Sequence, residues 1–317
     1  MPYPEQVTSP SQQPMEEARV SAAARIDLHA HSLKSDGRGE PALVMREAAE
    51  AGLDIVALTD HDTAAGWDEA RSEAGRLGIG FVPGIELTTR VQRDTERKFT
   101  VHMLAYLPDP TDLALARALT ESVENRVDRL QEITERLAED FDISWDNVLE
   151  VLADGKVAGR PAIADAMIER GIIATREPFF DWVRPGTKYY VPNRGVPETI
   201  DSIALIRSAG GVPILAHPMA RGYGPKPGEA MPRKHFLGLI EAGLAGFEVY
   251  HRDVPQHSRD WLLGLAQEFD LVVTGSSDYH GTGKPNLLGE NLTTPAALQA
   301  ILSQTANPHL AQLGHGE

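Results

Sequence analysis

Short, nearly continuous apolar runs alternate along this chain with longer segments whose apolar residues recur every three or four positions. The runs at 26–31, 54–58, 80–86, 99–106, 212–216, 246–250 and 271–274 predict strands, and their lack of strict polar alternation predicts burial on both faces. Helical spacing between them predicts helices over 39–52, 64–77, 197–209, 233–242 and 256–268. Pro41 near the start of the first and Gly52 at its end suit a first turn and a C-cap. Such alternation is the pattern of a mostly parallel α/β sheet or barrel. It breaks at Pro108. A long amphipathic helix over 111–140 then carries Leu115, Leu119, Val123, Val127, Leu130, Ile133 and Leu137 on one stripe, and shorter helices follow at 145–153, 160–170 and 176–183. The predicted organisation is a disordered tail (1–24), a discontinuous α/β unit (25–107 and 196–295), a helical insertion covering the site (108–195), and a C-terminal helix and tail (296–317).

Composition narrows the chemistry. The 317 residues are 42% apolar, enough for one large core. There is no cysteine, so any metal must be held by imidazole and carboxylate, a donor set that suits Zn, Mn or Fe(II). A net charge of −16 argues against broad binding to duplex DNA, while leaving room for a focused basic pocket. No apolar run approaches the roughly 20 residues that span a bilayer, and the N-terminus lacks a signal-peptide pattern. These features predict a cytoplasmic protein.

The apolar runs end repeatedly in metal-ligand residues. His29 and His31 follow Ile26-Asp27-Leu28, and Asp278 and His280 follow the run at 271–274; in extended chain, residues two apart point the same way. His61 follows 54–58, Glu86 closes 80–86, His102 lies in 99–106 and His217 follows 212–216. Each has a plain reading by itself: a capped turn, a solvated imidazole, an exposed strand end. Together they place six of the eleven histidines at predicted strand ends, where functional residues converge in parallel β/α architectures. Asp60 and Asp62 flank His61; one is expected to orient a ligating imidazole and the other to cap the next helix.

In order along residues 26 to 290, the segments Asp27-Leu28-His29-Ala30-His31-Ser32 with Ser35-Asp36-Gly37, Leu58-Thr59-Asp60-His61-Asp62, Gly84-Ile85-Glu86, Val101-His102, Ala216-His217-Pro218 and Gly275-Ser276-Ser277-Asp278-Tyr279-His280 resemble the motifs of the PHP (polymerase and histidinol phosphatase) family. The resemblance implies a distorted (β/α)7 barrel holding two to three divalent ions, Mn, Fe or Zn. Carried over residue by residue, it implies a first ion on His29, His31, Glu86 and Asp278. A second would rest on Asp36, His61 and His280, and a third on Glu86, His102 and His217, with Glu86 bridging. Gly159-Arg160-Pro161, Lys188-Tyr189-Tyr190-Val191-Pro192 and Glu248-Val249-Tyr250 resemble the branch that removes phosphate from nucleoside 3′,5′-bisphosphates and trims short RNA from its 5′ end. Many members of that branch have His where this chain has Ala162.

The expected reaction is hydrolysis of a phosphate ester by metal-activated hydroxide. His251 is the candidate donor to the leaving group. Arg160, opening a helix, is the candidate clamp for a second phosphate. Lys188, Tyr189, Arg194 and Arg221 are further candidate contacts with a small anionic nucleotide or an RNA 5′ end. Histidinol-phosphate-type hydrolysis, amidohydrolase chemistry and a non-catalytic metal-binding accessory module are the alternatives.

Overall fold

The computed structural model describes residues 20–92, 98–152, 159–220 and 233–313. Seven strands pair in chain order: β1 (Ile26–Asp27), β2 (Ile55–Leu58), β3 (Gly80–Gln92), β4 (Lys98–Tyr106), β5 (Val212–Leu215), β6 (Gly246–Tyr250) and β7 (Val272–Gly275). The two edges meet where the His31 N–H donates to the Tyr279 carbonyl (2.8 Å) and the Tyr279 N–H to the His29 carbonyl (3.3 Å), so the sheet curls into a nearly closed barrel. The expected distorted (β/α)7 barrel is present.

Two details depart from the expected strands. The run 26–31 is a strand only at Ile26–Asp27, and Ala30 contributes a single bridge to Tyr279. β4 is antiparallel to both β3 and β5. The physical reason is connectivity: β3 and β4 follow each other without a crossover helix, and directly joined neighbouring strands run antiparallel. β3 also continues past Glu86 to Gln92 as one arm of that hairpin, so Glu86 and His102 lie within strands rather than at their ends.

Alternation along the strands builds two apolar layers. Val56 and Leu58 face outward, packing with Val44, Met45 and Ala48 of α1 (Pro41–Glu50) and Ala70 and Ala74 of α2 (Trp67–Leu77). Ile55 and Ala57 face inward with Leu28, Val82, Leu104, Tyr106 and Ile214, where Leu298 and Ile301 of α10 (Pro295–Gln304) join them. α7 (Thr199–Ser208), α8 (Arg233–Glu241) and α9 (Gln256–Glu268) complete the outer layer. Gly246 is required on β6, where an added Cβ would come within 2.1 Å of the Val272 carbonyl oxygen.

Between β4 and α7 lie α3 (Leu113–Ala138), α4 (Trp145–Val151), α5 (Arg160–Glu169) and α6 (Glu177–Trp182). Asp112 caps α3 through the backbone N–H groups of Ala114 and Leu115, and Ser144 with Asn147 forms a capping box on α4. These helices bury Leu130, Ile133, Leu137, Val148, Ile163, Met167 and Phe179 in a core of their own. Of the expected N-terminal tail, residues 1–19 lie outside the described residues, while Val20 and Ala24 pack against the barrel. Residues 314–317 of the expected C-terminal tail also lie outside them, but Gln312 is bridged to Phe81.

Candidate metal centre

Six imidazoles and three carboxylates converge above the strands. His29 Nε2 stands 3.0 Å from His31 Nε2, 3.2 Å from Glu86 Oε2 and 3.5 Å from Asp278 Oδ1; His31 Nε2 is 3.1 and 3.2 Å from the same two oxygens. Donors around a tetrahedral ion at about 2.0–2.1 Å sit about 3.3 Å apart, so this set fits one divalent ion. Asp36 Oδ1 lies 3.1 Å from His280 Nε2 and 3.9 Å from His61 Nε2, forming a second group. Glu86 Oε1 lies 2.9 Å from His102 Nδ1 and 3.0 Å from His217 Nε2, the third. Glu86 thus turns one oxygen to the first group and one to the third. His61 also reaches Glu86, its Nδ1 being 3.2 Å from Oε2, so it joins the second and third groups rather than belonging to the second alone.

The donors fit metal on a further ground. Asp36 Oδ1, His61 Nδ1 and His280 Nε2 are buried and, for all their closeness to one another and to Glu86, make no well-formed hydrogen bond among the described residues. Buried polar atoms are nearly always paired, and a cation among them would supply the missing partner. Burial alone would push the Glu86 carboxyl up, but the imidazoles of His61, His102 and His29 outweigh it and hold the group well below the usual carboxylate range. Asp278 is likewise held low, against burial, by Lys284 and His280. Burial pushes His61 and His217 down, which keeps their lone pairs available as ligands. His31 is lifted to about 9, against burial, by Asp278 and Glu86: this carboxylate-rich corner draws positive charge, as protons or as metal.

Local structure explains how the donors reach one another. Asp278 and His217 have φ of 55° and 30°, so the left-handed backbone, not strand alternation, aims them. Asp60 is not the cap of α2, and it reaches the donors through serines rather than by bonding an imidazole itself. Its carboxylate accepts from the Ser32 N–H (2.7 Å), the Ser32 hydroxyl (2.6 Å) and the Ser35 hydroxyl, tying down the loop that carries Asp36. In that loop Gly37 is obligatory, because a Cβ would lie 2.5 Å from the His31 carbonyl oxygen. Asp62 holds Thr88, accepting from its N–H and hydroxyl (2.8 Å each), and pairs with Arg126 of α3. The cap of α2 is Gly66.

His251 is buried; its Nδ1 accepts the Asp253 N–H (3.1 Å), which leaves the neutral ring's proton on Nε2, 3.5 Å from Asp278 Oδ2. Arg160 opens α5 with its guanidinium over the Phe180 ring. Three other expected contacts are engaged elsewhere: Lys188 and Tyr189 bind Asp140, and Arg194 lies 3.2 Å from Glu132, all on the exposed flank of the insertion. Opposite charges within the insertion, on Glu139, Asp140 and Glu132, hold these side chains there. Arg221 lies outside the described residues.

Four residues were not legible in the sequence as part of this site. Glu248 accepts from His29 Nδ1 at 2.9 Å; the segment Glu248-Val249-Tyr250 marks the branch resemblance, but nothing in the sequence ties its carboxylate to His29. Arg126 and Arg129 lie on α3, one turn apart. Burial and the charges of Arg160 and Arg126 push Arg129 down to about 10, so both guanidiniums act on that of Arg129. Lys284 Nζ lies 2.9 Å from Asp278 Oδ2.

A family model described as the PHP domain matches residues 27–165. A 3′,5′-nucleoside bisphosphate phosphatase of Chromobacterium violaceum is 30% identical over 82% of this chain and 89% of its own length. The chain belongs to the PHP family. It is a phosphoesterase, a hydrolase with a metal-binding array of histidines and acids. The 5′-3′ exoribonuclease Rnm of Salmonella typhimurium is 28% identical over 92% of this chain and 97% of its own. A solved structure from Bifidobacterium adolescentis, described as a candidate metal-dependent phosphoesterase, superposes with a TM-score of 0.81 at 38% identity, covering 90% of this chain and 97% of the other. Among the described residues, no helix of this PHP protein is long and apolar enough to cross a membrane.

Proposed function

We propose that this PHP phosphoesterase releases the 3′-phosphate of nucleoside 3′,5′-bisphosphates and also accepts the 5′-phosphorylated end of short RNA. The observation that carries this reading is Arg129 set among the charges of Arg126 and Arg160, with Arg126 in turn paired to Asp62 next to His61 and within reach of the Asp36 charge. Arg126 has a partner in Asp62, while among the described residues Arg129 donates to a neutral acceptor, the Val191 carbonyl (2.9 Å). A desolvated Arg129 guanidinium crowded by two like charges favours a bound anion, and a second phosphate would supply one. The names of the Chromobacterium and Salmonella relatives agree with both substrates.

The donor groups would hold two to three divalent ions: His29, His31, Glu86 and Asp278 one, Asp36, His61 and His280 another, and Glu86, His102 and His217 a third, with His61 shared between the last two. Mn, Fe or Zn suits these donors, and such ions supply a nucleophile at neutral pH and neutralise phosphate oxygens. Glu86 fixes the spacing between groups. Arg129 and Arg160 hold the second phosphate and so orient the ester over the cluster. His251 keeps a proton on Nε2 and delivers it to the departing oxygen. Lys284, paired with Asp278 and one-third exposed, faces the same corner and favours negative charge on the phosphate.

The test is phosphate release from 3′,5′-bisphosphoadenosine, histidinol phosphate, a cyclic phosphodiester and a 5′-phosphorylated short RNA, side by side. The expected kcat/KM is highest for the bisphosphate, by about 100-fold over histidinol phosphate, since each charge-assisted contact contributes about 1.5–3 kcal/mol. A preference for histidinol phosphate or the cyclic ester would overturn the assignment.

A further inference from the structure

We infer that Glu248 is a positioning residue that locks two metal-donor groups into one unit. It is fully buried on β6, in the middle of an otherwise apolar strand. Its two oxygens have separate duties. Oε1 accepts from the His29 Nδ1–H at 2.9 Å, and Oε2 accepts from the His217 backbone N–H at 2.9 Å.

The first bond sets a tautomer. With Nδ1 carrying the proton, His29 Nε2 presents a lone pair toward His31, Glu86 and Asp278, the first donor group. The second bond sets a backbone. His217 has a φ of 30°, a region L side chains rarely adopt, and the acceptor on its N–H holds it there with Nε2 directed at Glu86 Oε1 in the third group. Glu86 joins the two groups from the front, and Glu248 joins them from behind. A shift of the Glu248 carboxylate therefore disturbs a donor in each.

Glutamine in its place has the same shape but one acceptor and one donor. It cannot accept from both N–H groups. Either His29 reverses its tautomer and turns an N–H into the first group, or His217 loses its acceptor. A residue that merely filled the barrel would be replaced by Gln with a change in melting temperature and nothing else.

The inference rests on the proposed metal binding, so the experiment uses wild type as its own control. Zn²⁺ and Mn²⁺ are titrated calorimetrically into metal-free wild type and E248Q, with bound metal counted by elemental analysis and melting temperatures recorded for both metal-free proteins. The expected result is 10–100-fold weaker binding of at least one ion by E248Q, with metal-free melting temperatures within a few degrees, roughly the loss seen when partners of metal-binding histidines are removed. Binding by E248Q within twofold of a metal-binding wild type overturns the role of Glu248 alone. A wild type that takes up neither ion overturns the metal reading as well. Should E248Q not fold, ¹⁵N-histidine NMR of Zn²⁺-loaded wild type reads the same point: His29 protonated on Nδ1 supports the inference, and protonated on Nε2 overturns it.

Discussion

Arg126 of the insertion reaches across to Asp62 at the exit of β2, forming a buried ion pair that also takes in the Thr88 hydroxyl at 2.8 Å. Asp62 is 1% exposed at its side chain and Arg126 17%, so water screens the pair weakly. The pair joins the insertion to the barrel one residue from His61.

Arg126→Met strands the Asp62 carboxylate. Removing one partner of a buried pair costs about 3–5 kcal/mol, discounted somewhat because Thr88 still donates two hydrogen bonds to Asp62. The expected loss is about 2–4 kcal/mol in denaturant unfolding. The double variant Arg126→Met with Asp62→Asn should recover part of it; strictly additive losses would mean that the pair contributes no coupling.

Lys284→Met removes the cation held 2.9 Å from Asp278 Oδ2. Turnover is expected to fall about 10–100-fold, the loss appearing in kcat more than in KM, with Lys284→Arg partly restoring it. Steady-state kinetics on the bisphosphate checks this, and an unchanged kcat would remove Lys284 from the reaction.

Arg129→Ala and Arg160→Ala should each raise KM about tenfold for a substrate with two phosphates and leave a monophosphate ester nearly unaffected. Equal effects on both substrates would point to a structural role for these guanidiniums. By contrast, Lys188→Ala and Arg194→Ala should change neither parameter, since both side chains serve surface ion pairs on the insertion.

Chelation should abolish activity and lower the melting temperature, because an ion present at about 100 times its Kd adds about 2.7 kcal/mol to the folded state. Glu86→Ala should lose turnover beyond detection even with metal in excess, as both the first and third donor groups lose their shared carboxylate. Near-normal activity in that variant would contradict the assignment.

The donors that close short apolar strands, such as His61 after β2 and His217 after β5, are legible because a histidine at the end of a buried run adds little to packing and must be placed there for its nitrogen. Glu86 and His102 are legible by residue type but not by placement: both sit inside a hairpin whose continuation beyond the barrel depends on pairing between β3 and β4. Strand alternation predicts that Asp278 and His280 act together, yet the left-handed Asp278 backbone, not alternation, brings that about. Arg126 and Arg129 escape the sequence because an arginine on an amphipathic helix looks the same whether it meets water, as Arg117 does beside Glu121, or crosses to another unit. Only tertiary packing separates the two cases.

The insertion keeps its own apolar core around Leu130, Ile163 and Phe179, apart from both layers of the barrel. The residues proposed to grip substrate and those proposed to hold metal therefore rest on largely separate apolar packing, joined where Leu115 of α3 enters the barrel layer and where Arg126 meets Asp62. Substitutions that retune α3 and α5 for a longer, shorter or differently charged ligand can accumulate with least effect on the imidazoles where they spare Leu115, Arg126 and Asp165, the residues that meet the barrel. One hydrolytic engine can then serve diverging substrates by exchanging only the part that presents them.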